Sequence, residues 1–357
     1  MGAATDASYF LSWGWIAHWL ESLPADAQVR LAVVSERGLP MLGCFLGESR
    51  ISRHRLLGSH GVFLNATGYP GYDDLSIEYN GFLAPRSSRY ALKEILELLP
   101  QPWEEFFMPG LDAEQFPGNC LHQSLDPYHV VIEQDVPAPY VDLELVRQRG
   151  GDYLSLLSAR TRAHIRRSYR GFEAMGRVGL EAAGTVERAM EIFEEMVGLH
   201  QRAWSARGQP GAFASRYFHD FHAGLIRRRM AHGEIQLLRV SAGDATLGCL
   251  YNFVFKGRVY FYQSGLNYEI QKRLHPGLVS LTEAVLYNAR QGQALFDLMG
   301  GKGAYKSTLG THARRLLWAK IQKPRVKFRV ERALRTVKRS VWGLRATAHA
   351  GEDAGAA

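Results

Sequence analysis

The segment FDLMGGKGAYKSTLG, residues 296–310, sets an acid, four glycines, a tyrosine and two lysines at the end of an apolar run. That composition suggests phosphate binding, but a Walker A loop needs glycine, four residues, then Gly-Lys-[Ser/Thr]. Lys306 precedes Ser307 but follows Tyr305, and Lys302 follows Gly301 but precedes Gly303. Neither frame fits, and no continuous helix is evident immediately after it. A better anion site lies upstream in QKRLHPG, residues 271–277, where Lys272, Arg273 and His275 lead into Pro276-Gly277. A helix starting there would aim its free N–H groups and positive dipole end at phosphate oxygens. The other reading is an ordinary solvated basic loop. A third constellation is IEYN, residues 77–80, which sets Glu78, Tyr79 and Asn80 inside an otherwise apolar stretch.

The elements that would position these residues show an internal echo. RLAVVSERGLPMLGCFLGE (30–48) resembles QLLRVSAGDATLGCLYNFV (236–254). Each reads as an apolar strand ending at Ser35 or Ser241, a turn with Gly38 or Gly243, and a second strand carrying Leu-Gly-Cys. Each follows a helix candidate. One is the Trp-rich segment 13–22, and the other is 186–204, with Val186, Met190, Phe193, Val197 and Trp204 on one face. Two copies of an α-β-β unit follow from this.

After the second copy come an aromatic strand at 258–266, the polar connection NYEIQKRLH, and a helix over PGLVSLTEAVLYNARQG. Pro276 sits in that helix's first turn, Leu278, Leu281, Val285, Leu286 and Ala289 share a face, and Gly292 stands at the C-terminal cap. The strand ALFDLM is next. This order implies a mixed α/β sheet with a crossover helix.

The 357 residues suit two domains, and 46% hydrophobic content suits globular cores. Cys44, Cys120 and Cys249 lie far apart without metal-ligand spacing, as expected of buried thiols in a reducing cytosol. No apolar run approaches the ~20 residues needed to span a bilayer. The N-terminal stretch lacks a charged n-region and a small-residue cleavage site. The expected location is therefore cytoplasmic. The net charge of +8 is concentrated in residues 302–345, which carry six lysines and eight arginines against Glu331. Within them, Val330, Leu334, Val337, Val341 and Leu344 recur at helical spacing among basic residues. A basic amphipathic helix over 323–345 is expected, lying on the inner face of an anionic membrane or docked on the body or a partner subunit. Residues 346–357 read as a disordered tail.

HPGLVSLTEAVLYNARQGQALFDLMGGKGAYKSTLG, together with YLSLLSARTRAHIRRSYRGFEAMG (153–176), resembles the CelD/BcsL-like GNAT-type N-acyltransferases, relatives of the FemAB peptidyl transferases. The resemblance covers residues 140–318 well and 10–135 more weakly. It implies a tandem GNAT-like fold, with one half over 1–139 and the other over 140–322. It also implies acyl transfer from acetyl-CoA or another acyl-CoA to an amine, or less often a hydroxyl, of a sugar or amino-acid-derived precursor. The family name suggests envelope or exopolysaccharide biosynthesis.

On this resemblance, N–H groups around Gln263 to Gly265 polarise the donor carbonyl where strands splay. Lys272, Arg273, His275 and Gly277 hold donor phosphates. Asp297 acts as base or acceptor-binding group, or else is a structural carboxylate tying down the glycine loop or the Arg-rich segment. Tyr305 gives a proton to sulfur or packs. Lys306 holds a phosphate or acidic acceptor, or forms a surface salt bridge. Glu78, Tyr79 and Asn80 read the acceptor from a cleft between halves, or form a polar strand end. The glycines would deliver Asp297, Tyr305 and Lys306 to the rim of that cleft. No metal is expected. Two further readings stand beside this one: a FemAB-like aminoacyl-tRNA-dependent transferase, and a non-catalytic scaffold at a membrane surface.

Overall fold

The computed structural model describes residues 7–53, 57–75, 77–84, 92–114, 125–271, 273–301 and 303–332. Lys272, Cys120, most of the expected 323–345 helix and the 346–357 tail lie outside the described residues.

In chain order the strands are β1 (Val29–Glu36), β2 (Leu39–Arg53), β3 (Leu57–Leu64), β4 (Glu105–Asp112), β5 (His129–Asp142), β6 (Val178–Ala182), β7 (Ile235–Ala242), β8 (Ala245–Phe255), β9 (Arg258–Leu266), β10 (Leu295–Asp297) and β11 (His312–Gln322). The helices are α1 (Trp13–Ser22), α2 (Pro70–Asp73), α3 (Leu92–Glu97), α4 (Leu143–Gln148), α5 (Ala159–Glu173), α6 (Val186–Ser205), α7 (Arg216–Arg229), α8 (Pro276–Arg290) and α9 (Ala304–Leu309).

The strands form one mixed sheet in the order β1-β2-β3-β4-β11-β5-β10-β9-β8-β7-β6. β5 runs through the place where a boundary at 139/140 was expected, and β11 lies between β4 and β5. The two halves therefore share a sheet, with the last strand as the seam.

Both echo segments are hairpins with two-residue loops. Arg37 (φ 50°) and Gly38 (φ 77°) both lie left-handed, as a primed turn requires. Each hairpin carries a register shift at its serine, between Val34 and Ser35 and between Val240 and Ser241. The repeat thus extends to backbone irregularity.

α1 begins where Ser12 accepts the Trp15 N–H. It packs on the second half, with the Trp15 ring 5.1 Å from Phe221 and 5.6 Å from Phe253. Truncating such a buried ring to alanine costs about 3–5 kcal/mol.

α6 occupies the predicted span, but its buried face is Ala189, Ile192, Phe193, Met196, Leu199 and His200. Met190 and Val197 fall on the flank, and Trp204 faces outward where Arg207 covers its ring at 5.9 Å. α8 also follows its predicted span, but Val279, Ser280, Thr282, Ala284 and Asn288 are buried as well. Gly292 closes it at φ 75°. β6 and α7 were not anticipated.

Glu105, fully buried on β4, ties in the seam strand. It pairs with Arg53 at 2.7 Å and accepts bonds from Ser59 at 2.5 Å and Gln322 at 2.9 Å. Residues 326–332 are helical and rest on the same region through buried Phe328 and the Lys327–Glu104 pair at 2.7 Å.

Candidate functional site

β9 and β10 pair in parallel for only three residues, Arg258 to Tyr260 against Leu295 to Asp297. β10 then bends toward β5, where Leu298 N–H bonds Pro139 O at 2.9 Å. The far part of β9, carrying Gln263 and Gly265, stays paired with β8. Among the described residues no strand pairs with its other edge, so the expected splay is present. A side chain on Gly265 would place Cβ 2.1 Å from Met196 O, so glycine is what lets α6 press against this strand. His200 Nδ1 donates to Ser264 O at 3.1 Å from the same helix.

β3 and β4 likewise pair in parallel for three residues, Gly61 to Phe63 against Glu105 to Phe107. Their wedge is filled by the segment carrying IEYN. Asn80 N–H bonds Gly110 O, its Nδ2 donates to Leu64 O at 2.9 Å, and its Oδ1 accepts from Asn65 Nδ2 at 2.7 Å. Asn80 is therefore committed to structure rather than presented to a ligand. Gly110, at φ 65°, leaves room for Ile77 O, which a Cβ would approach to 2.4 Å.

This plug carries Glu78 across to the glycine loop of the other half. Glu78 Oε2 accepts the Gly300 N–H at 2.7 Å. Lys306 Nζ donates to Gly300 O at 2.5 Å. A Cβ on Gly300 would lie 3.2 Å from Glu78 Oε1, and one on Gly301 (φ 128°) would lie 3.3 Å from Lys306 Nζ. The glycines thus make room for a carboxylate–lysine constellation, not for a nucleotide phosphate. Two non-glycine residues flanking this contact are left-handed, Tyr79 at φ 53° and Met299 at φ 59°. Such conformations cost about 1–3 kcal/mol each and concentrate at sites where geometry matters.

Burial pushes the Glu78 carboxyl up to about 7, with the Asp297 charge adding to it and the Gly300 bond and Lys306 opposing. A carboxylate so tuned is half-ionised near neutrality, as a general base requires. Burial lowers Lys306, while Glu78 and Asp297 hold it up.

Asp297 is fully buried rather than on the rim, because β10 is an interior strand with β5 and β9 on its flanks. Its Oδ1 accepts the Met299 N–H at 2.7 Å, which fastens the start of the glycine loop. Burial raises its carboxyl, and the Arg258 charge offsets part of that. Arg258 lies over the Tyr79 ring at 5.1 Å. The Tyr79 hydroxyl faces Asp297, whose charge raises the phenol while the phenol helps to hold the carboxyl down. Tyr305 is 40% exposed, and burial together with Tyr268 pushes its phenol up to about 12.

Glu78 and Gly301 border a cavity of about 480 Å³. Its wall includes Asp73, Asp74 and Glu133 and the rings of Tyr72, Phe107 and Trp318, with no lysine or arginine among the described residues. Asp73 is held by Thr67 and Gly68 N–H groups at 2.8 and 2.7 Å, and Glu133 pairs with Lys320 at 2.7 Å. Such a lining suits a cationic amine.

The QKRLHPG loop leads into the N-terminus of α8, with Arg273 and His275 exposed. His275 N–H bonds Ser168 Oγ of α5 at 3.2 Å, and Leu274 packs on Gly171. Gly277 lets Leu266 approach to 2.8 Å of where a Cβ would stand.

The structure thus brings together Glu78, Tyr79, Asp297 and Lys306. It keeps Asn80 in the plug and sets Arg273, His275 and Gly277 apart from them, at the start of α8. Arg258 and the Gly300 backbone were not anticipated. An arginine opening an otherwise aromatic strand was the available signal for the first. Among the described residues no group of three or more His, Cys, Asp or Glu could hold a metal ion, and no helix is long and apolar enough to cross a membrane.

Residues 159–307 match the family model described as an acetyltransferase (GNAT) domain. Among solved structures, FemX shares 10% identity over 88% of this chain and 92% of its own, with a TM-score of 0.58. A conserved protein of unknown function from Bacteroides thetaiotaomicron VPI-5482 shares 9% identity over 89% and 93%, with a TM-score of 0.55. L-PGS from Bacillus licheniformis shares 12% over 88% and 93%, with a TM-score of 0.51. No curated relative matches the sequence. At these identities the structural likeness speaks for the fold. The fold is mixed α/β of the tandem GNAT-like type, and residues 159–307 are similar to GNAT acetyltransferase domains.

Proposed function

From a GNAT N-acyltransferase domain over residues 159–307, we propose that this enzyme moves an acyl group from acyl-CoA to an amine held in the cavity beside Glu78. The observation that carries the reading is the Glu78–Gly300 contact, which sets a carboxylate poised near pH 7 at the seam between halves. The CelD/BcsL-like resemblance supports an acceptor among sugars or amino-acid-derived precursors of envelope or exopolysaccharide pathways.

Chemically, the incoming ammonium gives its proton to Glu78, directly or through one water. The free amine attacks the thioester carbonyl, whose oxygen takes up negative charge near the unpaired edge of β9 at Gln263 to Gly265. Collapse of the tetrahedral adduct breaks the C–S bond, forms the amide and expels the thiolate, and the second proton lost by the nitrogen replaces the one that Tyr305 gives to the sulfur. Tyr305, still protonated at neutral pH, is the donor we assign to that sulfur. Arg273, His275 and the N-terminus of α8 at Gly277 form the surface for the donor phosphates. Asp297 acts from within: its charge holds Glu78 high, and its bond to Met299 fixes the loop.

The test is thiol release from acetyl-CoA and longer acyl-CoAs with a panel of primary amines, comparing wild type with Glu78→Gln. Amine-dependent release that falls with the variant supports the reading. Release that is unchanged in Glu78→Gln would remove Glu78 from the chemistry, and no release with any thioester would sink the acyl-CoA reading.

A further inference from the structure

α5 turns one face inward and leaves an unusual outward face. Thr161, Ile165, Ser168 and Phe172 are buried, spaced four, three and four. Arg160, His164, Arg166, Arg167 and Arg170 are exposed. None of these arginines pairs with a carboxylate among the described residues. Arg160 to Arg170 spans about 15 Å at 1.5 Å per residue. The row also abuts the donor surface: the His164 and His275 rings are 5.8 Å apart, and Ser168 caps the loop before α8.

Unpaired guanidinium groups over that length exceed what the phosphates of one small nucleotide could occupy beside Arg273 and His275. They form a docking field for a larger anion. No exposed aromatic stands on this face for a base to stack on, since Tyr169 is half-buried and its hydroxyl donates to Glu283 at 2.6 Å. No large apolar side chain between residues 159 and 173 is exposed, so the face lacks what an interfacial membrane helix inserts. What remains is charge complementarity with an acidic protein surface, placed where a thioester arm would enter.

We propose that the outward face of α5 docks an acidic carrier protein bearing the acyl group on a phosphopantetheine thiol, with the phosphate of that arm received at Arg273 and His275. This rests on the acyl-transfer reading above. The balance is that of the CoA reaction. The C–S bond breaks as the C–N bond forms, one ammonium proton goes to Glu78, a second reaches the sulfur through Tyr305, and the thiol returns to the carrier.

The experiment compares kcat/KM for acetyl-CoA and for an acetylated, phosphopantetheine-bearing acyl carrier protein, in wild type and in Arg166→Glu/Arg167→Glu/Arg170→Glu. A triple glutamine variant serves if charge reversal lowers the melting temperature. The expected result is a loss of at least tenfold with the carrier thioester, reproduced in wild type by 0.5 M salt, while acetyl-CoA turnover stays within twofold. Equal losses with both donors, or turnover of acetyl-CoA but not of the carrier thioester, would overturn the proposal. So would arginine-dependent retention of tRNA or anionic vesicles without use of the carrier. Failure of both thioesters in wild type would overturn the acyl-transfer reading, and this inference with it.

Discussion

The two halves use the same motif in opposite ways. β3 and β4 pair for three residues and then diverge, as β9 and β10 do. In the first half the wedge is stoppered by residues 77–83 through Asn80. In the second, among the described residues no strand fills it, and the N-terminus of α8 meets the end of β9 where Gly277 approaches Leu266. The stopper is not mere packing, because it carries Glu78 out of the first half and against Gly300 of the second. One half has given up its own cleft and furnishes the other with a side chain. Two buried glutamates of the first half differ in the same spirit, one serving its own half and one reaching the other. Glu105, in the first half, is met by Arg53, Ser59 and Gln322, whose bonds outweigh burial and bring its carboxyl below the usual range. Glu78 has one backbone N–H and a nearby lysine, and burial wins.

The strongest way to break this comparison is Glu78→Gln. A positioned general base contributes ~10²–10⁴-fold, so kcat/KM should fall by about that factor with little change in melting temperature. Wild-type kcat/KM should rise with pH through about 7 as Glu78 ionises, and the variant should lose that limb. A full-strength rate in the variant would leave the plug with no chemical role.

Glu105→Ala should act on stability instead. It takes from Arg53 its 2.7 Å carboxylate partner and leaves Ser59 and Gln322 without their acceptor, a loss of about 3–5 kcal/mol by denaturant unfolding. The two glutamates should also differ in sign with pH. The folded Glu105 carboxyl lies below its unfolded value, so its contribution is present above that value and is lost as pH falls through the folded one. Glu78 lies above its unfolded value, so its contribution declines as pH rises from about 4.5 toward 7.

Asn80→Ala should cost about 1–3 kcal/mol by leaving Leu64 O and Asn65 Nδ2 short of a partner. It should also lower kcat through loss of Glu78 alignment, and stability loss without a rate effect would mean the plug does not position Glu78. The smallest effect is expected of Asp297→Asn. Removing a charge that raises Glu78 should move the acid limb of kcat/KM to lower pH by less than one unit, whereas an upward shift would contradict the electrostatic assignment.

Local pattern made part of this legible. Alternation and turn glycines marked both hairpins, and the 3.6-residue period with Pro276 and Gly292 marked α8. Asp297 and Lys306 were singled out because acids and lysines beside glycines do chemistry. The plug was not legible, because its place depends on Asn65, Asn80 and Gly110 meeting across the fold, and no spacing encodes that. The burial of Asp297 depends on β5, more than 150 residues earlier, flanking β10. The face of α6 was misjudged because Met190 and Val197 fit the helical period nearly as well as Ile192 and Met196, and only the opposing strands choose between them.

The seam strand has a consequence for biosynthesis. β11 is the last made of the described strands, yet it sits between β4 and β5. Until it emerges from the ribosome, both of those strands present open edges and the sheet is not continuous from one half to the other. Glu78 and Gly300 are separated by 222 residues of chain, so their meeting reports that the whole sheet has closed. A chain interrupted before residue 312 would have every reacting group and no assembled site, so protein truncated there in the cell should be inert rather than partly active.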